Sequence, residues 1–256
     1  MSKRGGNSAR RFTGSGSVHS KSPASPLLPI ALLLLGSFLF IVYFYRGSTD
    51  RIKYNNEVSK IEGDFGCTFD VQKAIPALMR TYGDSMNRVL HVGPDTCSVV
   101  SLLKKEAGTE AWGVEPYDIE DADLSCRRLV HKGLVRVADI KFPLPYRAKS
   151  FSLVIVSDAV DYLSPKYLNK TLPDLARLSA ENLVIFTGYP VHSRGKFQQQ
   201  PKFGRPAKMR STTWWARFFV QTSLKENEAA AMKFDQAASE ISYIPRCQVF
   251  HLNSYH

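Results

Sequence analysis

From residue 88 onward, short apolar runs alternate with stretches whose apolar positions recur at helical spacing. The runs at 88–92, 111–115, 134–138, 151–157 and 182–187 are five to seven residues long and rich in Val, Ile and Leu, which predicts buried strands. Between them, 96–107, 121–131 and 165–179 predict helices, and Gly83, Gly108 and Gly133 stand where helices stop. A further helical stretch, with an interruption, covers 213–239 and gives way to the strand-like 240–252. Strand and helix in alternation mean parallel strands joined by helical crossovers, so the expected fold is a single α/β domain with its sheet covered by helices.

A different pattern precedes this domain. Residues 27–45, LLPIALLLLGSFLFIVYFY, run for 19 positions without a charge. As a helix they reach roughly 28 Å, the thickness of a thin bilayer. A cleaved signal peptide has an apolar region of only about 7–15 residues ending in a small-residue cleavage site. Here Tyr43, Phe44, Tyr45 and Arg46 close the run, so it reads as a retained single transmembrane helix, a signal anchor. Residues 1–26 hold Lys3, Arg4, Arg10, Arg11 and Lys21, no acid, and many Ser and Gly, the composition of a disordered basic tail. Beyond the span, Arg46, Arg51 and Lys53 mix with Asp50 and Glu57, so the positive-inside rule puts the tail in the cytosol and residues 46–256 in a secretory lumen. Residues 46–65 form a polar stem and 66–256 the folded domain. The glycosylation sequon Asn169-Lys170-Thr171 is usable only on the lumenal side. A short span suits early secretory membranes, which makes the Golgi or the endoplasmic reticulum the expected location.

Over all 256 residues, 34 Lys and Arg against 23 Asp and Glu give a formal charge of +11, and 44% apolar residues exclude a chain disordered throughout. Cys67, Cys97, Cys126 and Cys247 are too few for a small bridge-held scaffold and lack metal-ligand spacing, so no metal site is expected. In a lumen they meet oxidising conditions, and spacing leaves every pairing open.

In an open parallel sheet, ligands settle beyond the carboxyl ends of the strands, near the point where strand order reverses. The first strand ends in Val92-Gly93-Pro94-Asp95-Thr96-Cys97 and opens a helix; the second ends at Glu115, 22 residues past Gly93. A carboxylate there offers two acceptor oxygens to the two hydroxyls of a ribose. The third strand leads into Asp139-Ile140, an acid to hold an adenine amino group and an aliphatic side chain to lie on its apolar face; Asp158 ends the fourth.

On these residues the chain resembles class I S-adenosylmethionine-dependent methyltransferases. The resemblance implies a Rossmann-like fold and S-adenosyl-L-methionine as cofactor, with Gly93 in the first loop, Glu115 as the ribose acid, Asp139 and Ile140 beside adenine, and Asp158 at the fourth turn. The loop departs from the family pattern: the usual Gly-x-Gly-x-Gly is here Gly93-Pro94-Asp95-Thr96-Cys97, and His91 stands where an acid is common. Asp95 tolerates a left-handed turn and offers a carboxylate to the cofactor's ammonium group. Through the segments GPDTCSVVSLLKKE from Gly93, WGVEPYDIEDADLSC from Trp112 and VHSRGKFQQQPKFGRPAKMRSTTWWARFF from Val191, the whole chain is similar to the plant cotton Golgi-related family. That similarity implies methyl-esterification of the pectin homogalacturonan in the Golgi by a single-pass type II membrane protein, alongside other Golgi transferases.

Between Glu181 and Glu226 there is no acid, while Arg194, Lys196, Lys202, Arg205, Lys208, Arg210, Arg217 and Lys225 occur among Tyr189, His192, Phe197 and Phe203. Such a stretch favours a polyanion. A lumenal domain meets no nucleic acid, which leaves a polyuronate. The segment follows the fifth strand, at the cofactor end of the sheet, so Tyr189, His192, Arg194 and Lys196 are the candidate acceptor contacts. A uronate is ionised in a mildly acidic lumen and attacks a sulfonium methyl without losing a proton, so no catalytic base is assigned.

Other function classes compete for these residues. Asp121-Ala122-Asp123 has the Asp-x-Asp spelling of many glycosyltransferases, although acids that begin a helix serve its dipole. A catalytically inactive scaffold for a polysaccharide-synthesis complex would use the same fold without binding cofactor. An esterase lacks its Gly-x-Ser-x-Gly elbow here. Trp214-Trp215, with Phe218 and Phe219 one turn on, reads as core packing rather than a sugar platform, and His91 as an interior residue.

Overall fold

A computed structural model describes residues 66–116, 122–190 and 207–254, all within the compact unit 57–256. The expected tail, span and stem lie outside the described residues, among which no helix is long and apolar enough to cross a membrane. The sheet consists of β1 (Arg88–Val92), β2 (Glu110–Glu115), β3 (Val135–Val137), β4 (Phe151–Ser157), β5 (Ser179–Thr187) and β6 (Gln248–Asn253), in the order β3-β2-β1-β4-β5-β6. The first five strands are parallel and β6 runs antiparallel to β5. Strand order reverses between β1 and β4, so the ligand crevice of this architecture lies beyond Val92 and Ser157.

Helices α1 (Gly66–Tyr82), α2 (Thr96–Leu103), α3 (Leu124–His131), α4 (Pro165–Leu178), α5 (Thr212–Gln221) and α6 (Glu228–Glu240) complete the unit. Alternation along the central strands divides the core in two. Val89, Leu153, Ile155 and Phe186 join Val71 and Leu78 of α1, Val99 of α2 and Phe234 of α6. Leu90, Val154, Val156 and Ile185 join Leu168 and Leu172 of α4 and Trp215 and Phe219 of α5. Each enclosed Leu, Val or Phe contributes roughly 1.5–3 kcal/mol. In β4 every residue but Ser152 is buried, which is why Leu153 to Val156 read as an unbroken apolar run.

The structure departs from expectation at the two ends of the described domain. Helix α1 is an addition: Gly83, at φ +50°, marks its end in sequence, but nothing marked its body. The stretch 213–239 is interrupted as expected, forming two helices parted where Glu226 bridges to Leu252 and the Asn227 side chain caps α6 through the Ala230 N–H. The final strand is shorter than 240–252, because Arg246 and Cys247 donate their N–H groups to the Asp70 carboxylate of α1 instead of to the sheet. Disulfides join Cys67 to Cys247 and Cys97 to Cys126.

Candidate cofactor crevice

The turn after β1 is built by exclusion of side chains. A Cβ at Gly93 would lie 2.5 Å from Ser157 Oγ and 2.6 Å from the Ser157 carbonyl oxygen, so only glycine lets the loop cross the end of β4. Asp95 follows in the left-handed region at φ 51°, as expected of an acid that replaces a loop glycine. Its exposed carboxylate accepts from the Ser98 hydroxyl at 2.6 Å and the Gln72 amide at 3.3 Å. The first N–H of α2, on Thr96, donates to Glu115 Oε2 at 3.2 Å. Glu115 is buried at the end of β2, so its carboxylate sits at the positive end of a helix.

The remaining predicted residues divide by environment. Asp139 is exposed beyond β3 and pairs with Lys141 Nζ at 2.8 Å. Ile140 is buried in the core beside α4, and its carbonyl accepts from the Thr171 hydroxyl. Asp158, at φ 52°, turns its carboxylate to the start of α1, accepting from Thr68 N–H at 2.7 Å, Thr68 Oγ1 at 3.0 Å and Cys67 N–H at 3.3 Å. Asp95 and Asp158 thus hold non-glycine backbone at positive φ on either side of the switch point, where strain of about 1–3 kcal/mol each persists only under such hydrogen bonding. Asp123 caps α3 through the Cys126 N–H at 2.7 Å, the capping role rather than a metal role; Asp121 lies outside the described residues.

At the end of β5, Tyr189 is exposed, and His192, Arg194 and Lys196 lie outside the described residues. The described chain leaves at Pro190 and returns at Ala207, with one residue holding both flanks. The Asp161 carboxylate accepts the Gly188 N–H and the Thr187 hydroxyl, and its carbonyl accepts the Lys208 N–H at 2.7 Å. Burial pushes Asp161 up to about 6, against the donors from Thr187 and Gly188 and the nearby Arg210. Arg210 belongs to the basic stretch in sequence, yet only 4% of it is exposed: its guanidinium donates to the carbonyls of Val160, Leu163 and Lys208 and stacks on Trp214. Gln248 bridges the Gly188 and Arg210 carbonyls from β6. These three anchors carry no local motif that marks them in the sequence. Asn169 is exposed on α4, but its sequon partner Thr171 is buried, so the folded domain does not present the sequon in an open loop.

No protein-family model matches the chain. It is 62% identical to "Probable pectin methylesterase CGR2" of Arabidopsis thaliana, with 100% of both chains covered. It is 64% identical to "Probable pectin methylesterase CGR3" of the same plant, over 94% of this chain and 93% of the relative. The chain belongs to the cotton Golgi-related family. Among solved structures, magnesium protoporphyrin IX methyltransferase (ChlM) from Synechocystis PCC 6803, determined with bound SAH, matches with a TM-score of 0.51 at 11% identity, over 76% of this chain and 87% of that one. The domain of this cotton Golgi-related protein therefore has the Rossmann-like class I methyltransferase fold.

In this family member the donor set at the crevice fits an adenosyl group. A buried carboxylate stands at the end of β2, an exposed one follows β3, and a glycine turn brings bare backbone and the start of α2 to the same place. Asp158 and Ile140 tie the loops after β4 and β3 to α1 and α4, Asp158 through the Thr68 N–H and Ile140 through the Thr171 hydroxyl.

Proposed function

We propose that this protein makes the methyl esters of pectin, transferring the methyl group of S-adenosyl-L-methionine to galacturonate carboxylates of homogalacturonan in the Golgi lumen. One coincidence carries the reading: a class I methyltransferase sheet in a chain that is 62% identical, end to end, to a protein named for pectin methyl esters. Gly93, Asp95, Glu115 and Asp139 hold the nucleoside. Bound S-adenosylmethionine supplies a sulfonium methyl to an oxygen that is already ionised, so no proton leaves the acceptor. The chain's own task is to orient the acceptor, exclude water and hold a polyanion without burying its nucleophilic oxygen in a tight ion pair. Tyr189, His192, Arg194 and Lys196 make the acceptor contacts; Asp161, which anchors both flanks of that segment, supports this placement at the cofactor end of the sheet.

The lumenal orientation, with residues 27–45 as a type II anchor and Asn169 open to glycosylation before folding, draws support from the pairing of all four cysteines. Contact with other Golgi transferases fits the same setting. A second reading, hydrolysis of the same ester, is favoured by the relatives' names. Against it, the chain has no Gly-x-Ser-x-Gly elbow, and the buried acids Asp158 and Asp161 are turned toward α1 and the end of β5. The deciding assay incubates the full-length protein with methyl-labelled S-adenosylmethionine and de-esterified homogalacturonan. Polymer-bound label released by alkali as methanol is the expected result. Methanol released from esterified pectin without donor, and no labelled polymer, would establish the hydrolase; failure of the protein to bind S-adenosylmethionine would leave a scaffold.

A further inference from the structure

His91 is fully buried on the α1 and α2 side of β1. Burial pushes its pKa down to about 3, so the ring is neutral and carries one proton. Each nitrogen has one partner: Nδ1 lies 2.8 Å from Thr96 Oγ1, and Nε2 lies 3.0 Å from Ser157 Oγ. From Ser157 the contacts continue to Thr68 Oγ1 at 2.7 Å and from there to Asp158 Oδ2 at 3.0 Å. A neutral imidazole donates from one nitrogen and accepts at the other, and each hydroxyl owns one proton, so this chain has only two complete proton orders. In the first, Thr96 donates to Nδ1, Nε2–H to Ser157, Ser157 to Thr68, and Thr68 to an ionised Asp158. In the second, a protonated Asp158 donates to Thr68, Thr68 to Ser157, Ser157 to Nε2, and Nδ1–H to Thr96. The Thr96 proton then goes to the His91 carbonyl, 3.3 Å away.

The ends of the chain are the parts that frame the crevice. Thr96 opens α2 and its N–H holds Glu115; Asp158 receives the first N–H groups of α1. We propose that His91 is a positioning residue for the cofactor loop, holding Thr96 to β4 through a hydrogen-bond chain whose proton order follows the ionisation of Asp158. The groups facing Asp158 are the Cys67 and Thr68 donors of α1, Asp161 of the turn after β4, which adds repulsion, and, through Ser157, His91 of β1. Burial, outweighing those donors, pushes Asp158 up to about 7, so the order reverses near neutrality. The consequence for cofactor affinity rests on the methyl-transfer reading; the ring tautomer does not.

Both are measurable on the full-length protein in detergent micelles. With nitrogen-labelled histidine, the His91 ring is identified by its absence in His91→Gln and followed from about pH 5.5 to about pH 8.5. The ring is expected to pass from the Nδ1–H to the Nε2–H tautomer as pH rises, and Ser157→Ala abolishes that exchange. For affinity, His91→Asn places an amide near the Nδ1 position and keeps Thr96, whereas His91→Gln reaches Ser157 and releases Thr96. S-adenosylmethionine binding should then stay within about threefold of the parent in the first and weaken about tenfold in the second. A merely space-filling histidine gives the reverse order, because glutamine is closer to it in size. One pH-invariant tautomer in the parent, or affinity retained better by the glutamine variant, overturns the proposal. A parent that binds no S-adenosylmethionine removes the methyl-transfer reading, and the tautomer exchange still decides the role of His91.

Discussion

The Cys67–Cys247 bridge ties the first turn of α1 to the residue before β6 across 180 positions of sequence. Replacing both cysteines by alanine releases that constraint from the unfolded chain. In the chain-entropy account, a loop of that length corresponds to about 5 kcal/mol at 25 °C, an upper bound because the denatured chain is already partly compact. Against a domain stability of about 5–15 kcal/mol this is a third or more of the whole. The folded side of the balance changes less. Asp70 still receives the Arg246 and Cys247 N–H groups at 2.9 and 3.0 Å, and Asp158 still caps α1. Urea unfolding should therefore show a midpoint well below the parent's and a steeper dependence on urea, because the unlinked denatured chain exposes more surface. The folded variant should keep the parent's S-adenosylmethionine affinity. An unchanged midpoint, or a non-reducing peptide map joining Cys67 to another cysteine, would refute the reasoning.

Other perturbations read the crevice more directly. Glu115→Ala removes the proposed acceptor for two ribose hydroxyls, and at about 1.5–3 kcal/mol for each hydrogen bond to a charged group the pair predicts, by calorimetry, an affinity weakened by about a hundredfold to about ten-thousandfold; parent-like affinity would put the ribose elsewhere. Gly93→Ala sets a methyl group against the Ser157 main chain, and overpacking of this kind costs about 1–3 kcal/mol, seen as a fall in Tm together with loss of cofactor binding. Asp161 is pushed from 3.8 up to about 6, so the folded protein holds a proton that the unfolded chain has released, and this group's contribution to stability falls as pH climbs from about 4 to about 6. Asp161→Asn removes that fall, so its stability relative to the parent should grow by about 3 kcal/mol across the window, a difference in which the opposite contributions of His91 and His251 cancel. A difference that does not vary with pH would contradict the assignment.

Much of the fold is legible in the chain because β1 and β4 are buried almost throughout, so that their apolar residues stand out as short runs with clear limits. Helix α1 escaped notice because its apolar residues serve a partner beyond local range, α6, and because its N-terminal donors are capped by Asp158, some 90 positions away. Long-range capping leaves no Ser, Thr, Asp or Asn at the expected place before the helix. The placement of the candidate crevice residues is legible for a related reason. Gly93 follows β1, Glu115 closes β2 and Asp139 stands just past β3, so their common position at one end of the sheet can be worked out by counting. Arg210 was not, since eight basic residues in one acid-free stretch look alike until the carbonyls of Val160 and Leu163 withdraw one of them from solvent.

The sparse glycine content of the first loop has a related explanation. In the usual glycine-rich turn, successive glycines make the bend, admit the ligand to bare backbone and let the helix pack closely on a strand. Here Gly93 makes the bend, and Asp95 takes the left-handed backbone that a second glycine would occupy. The clearance for close helix packing has moved to the neighbouring strand: a Cβ on Gly113 of β2 would strike the Thr96 side chain and come within 3.0 Å of Val100 Cγ2. The glycine is present, then, but on the other side of the α2–β2 contact, 16 positions past Cys97, where a linear motif looks for it. That placement also brings Thr96 close enough for its N–H to reach Glu115 and its hydroxyl to reach His91. One glycine on β2 thus sets the helix start, Glu115 and the buried histidine in register, and a loop with a single glycine of its own still brings the start of α2 close against the sheet.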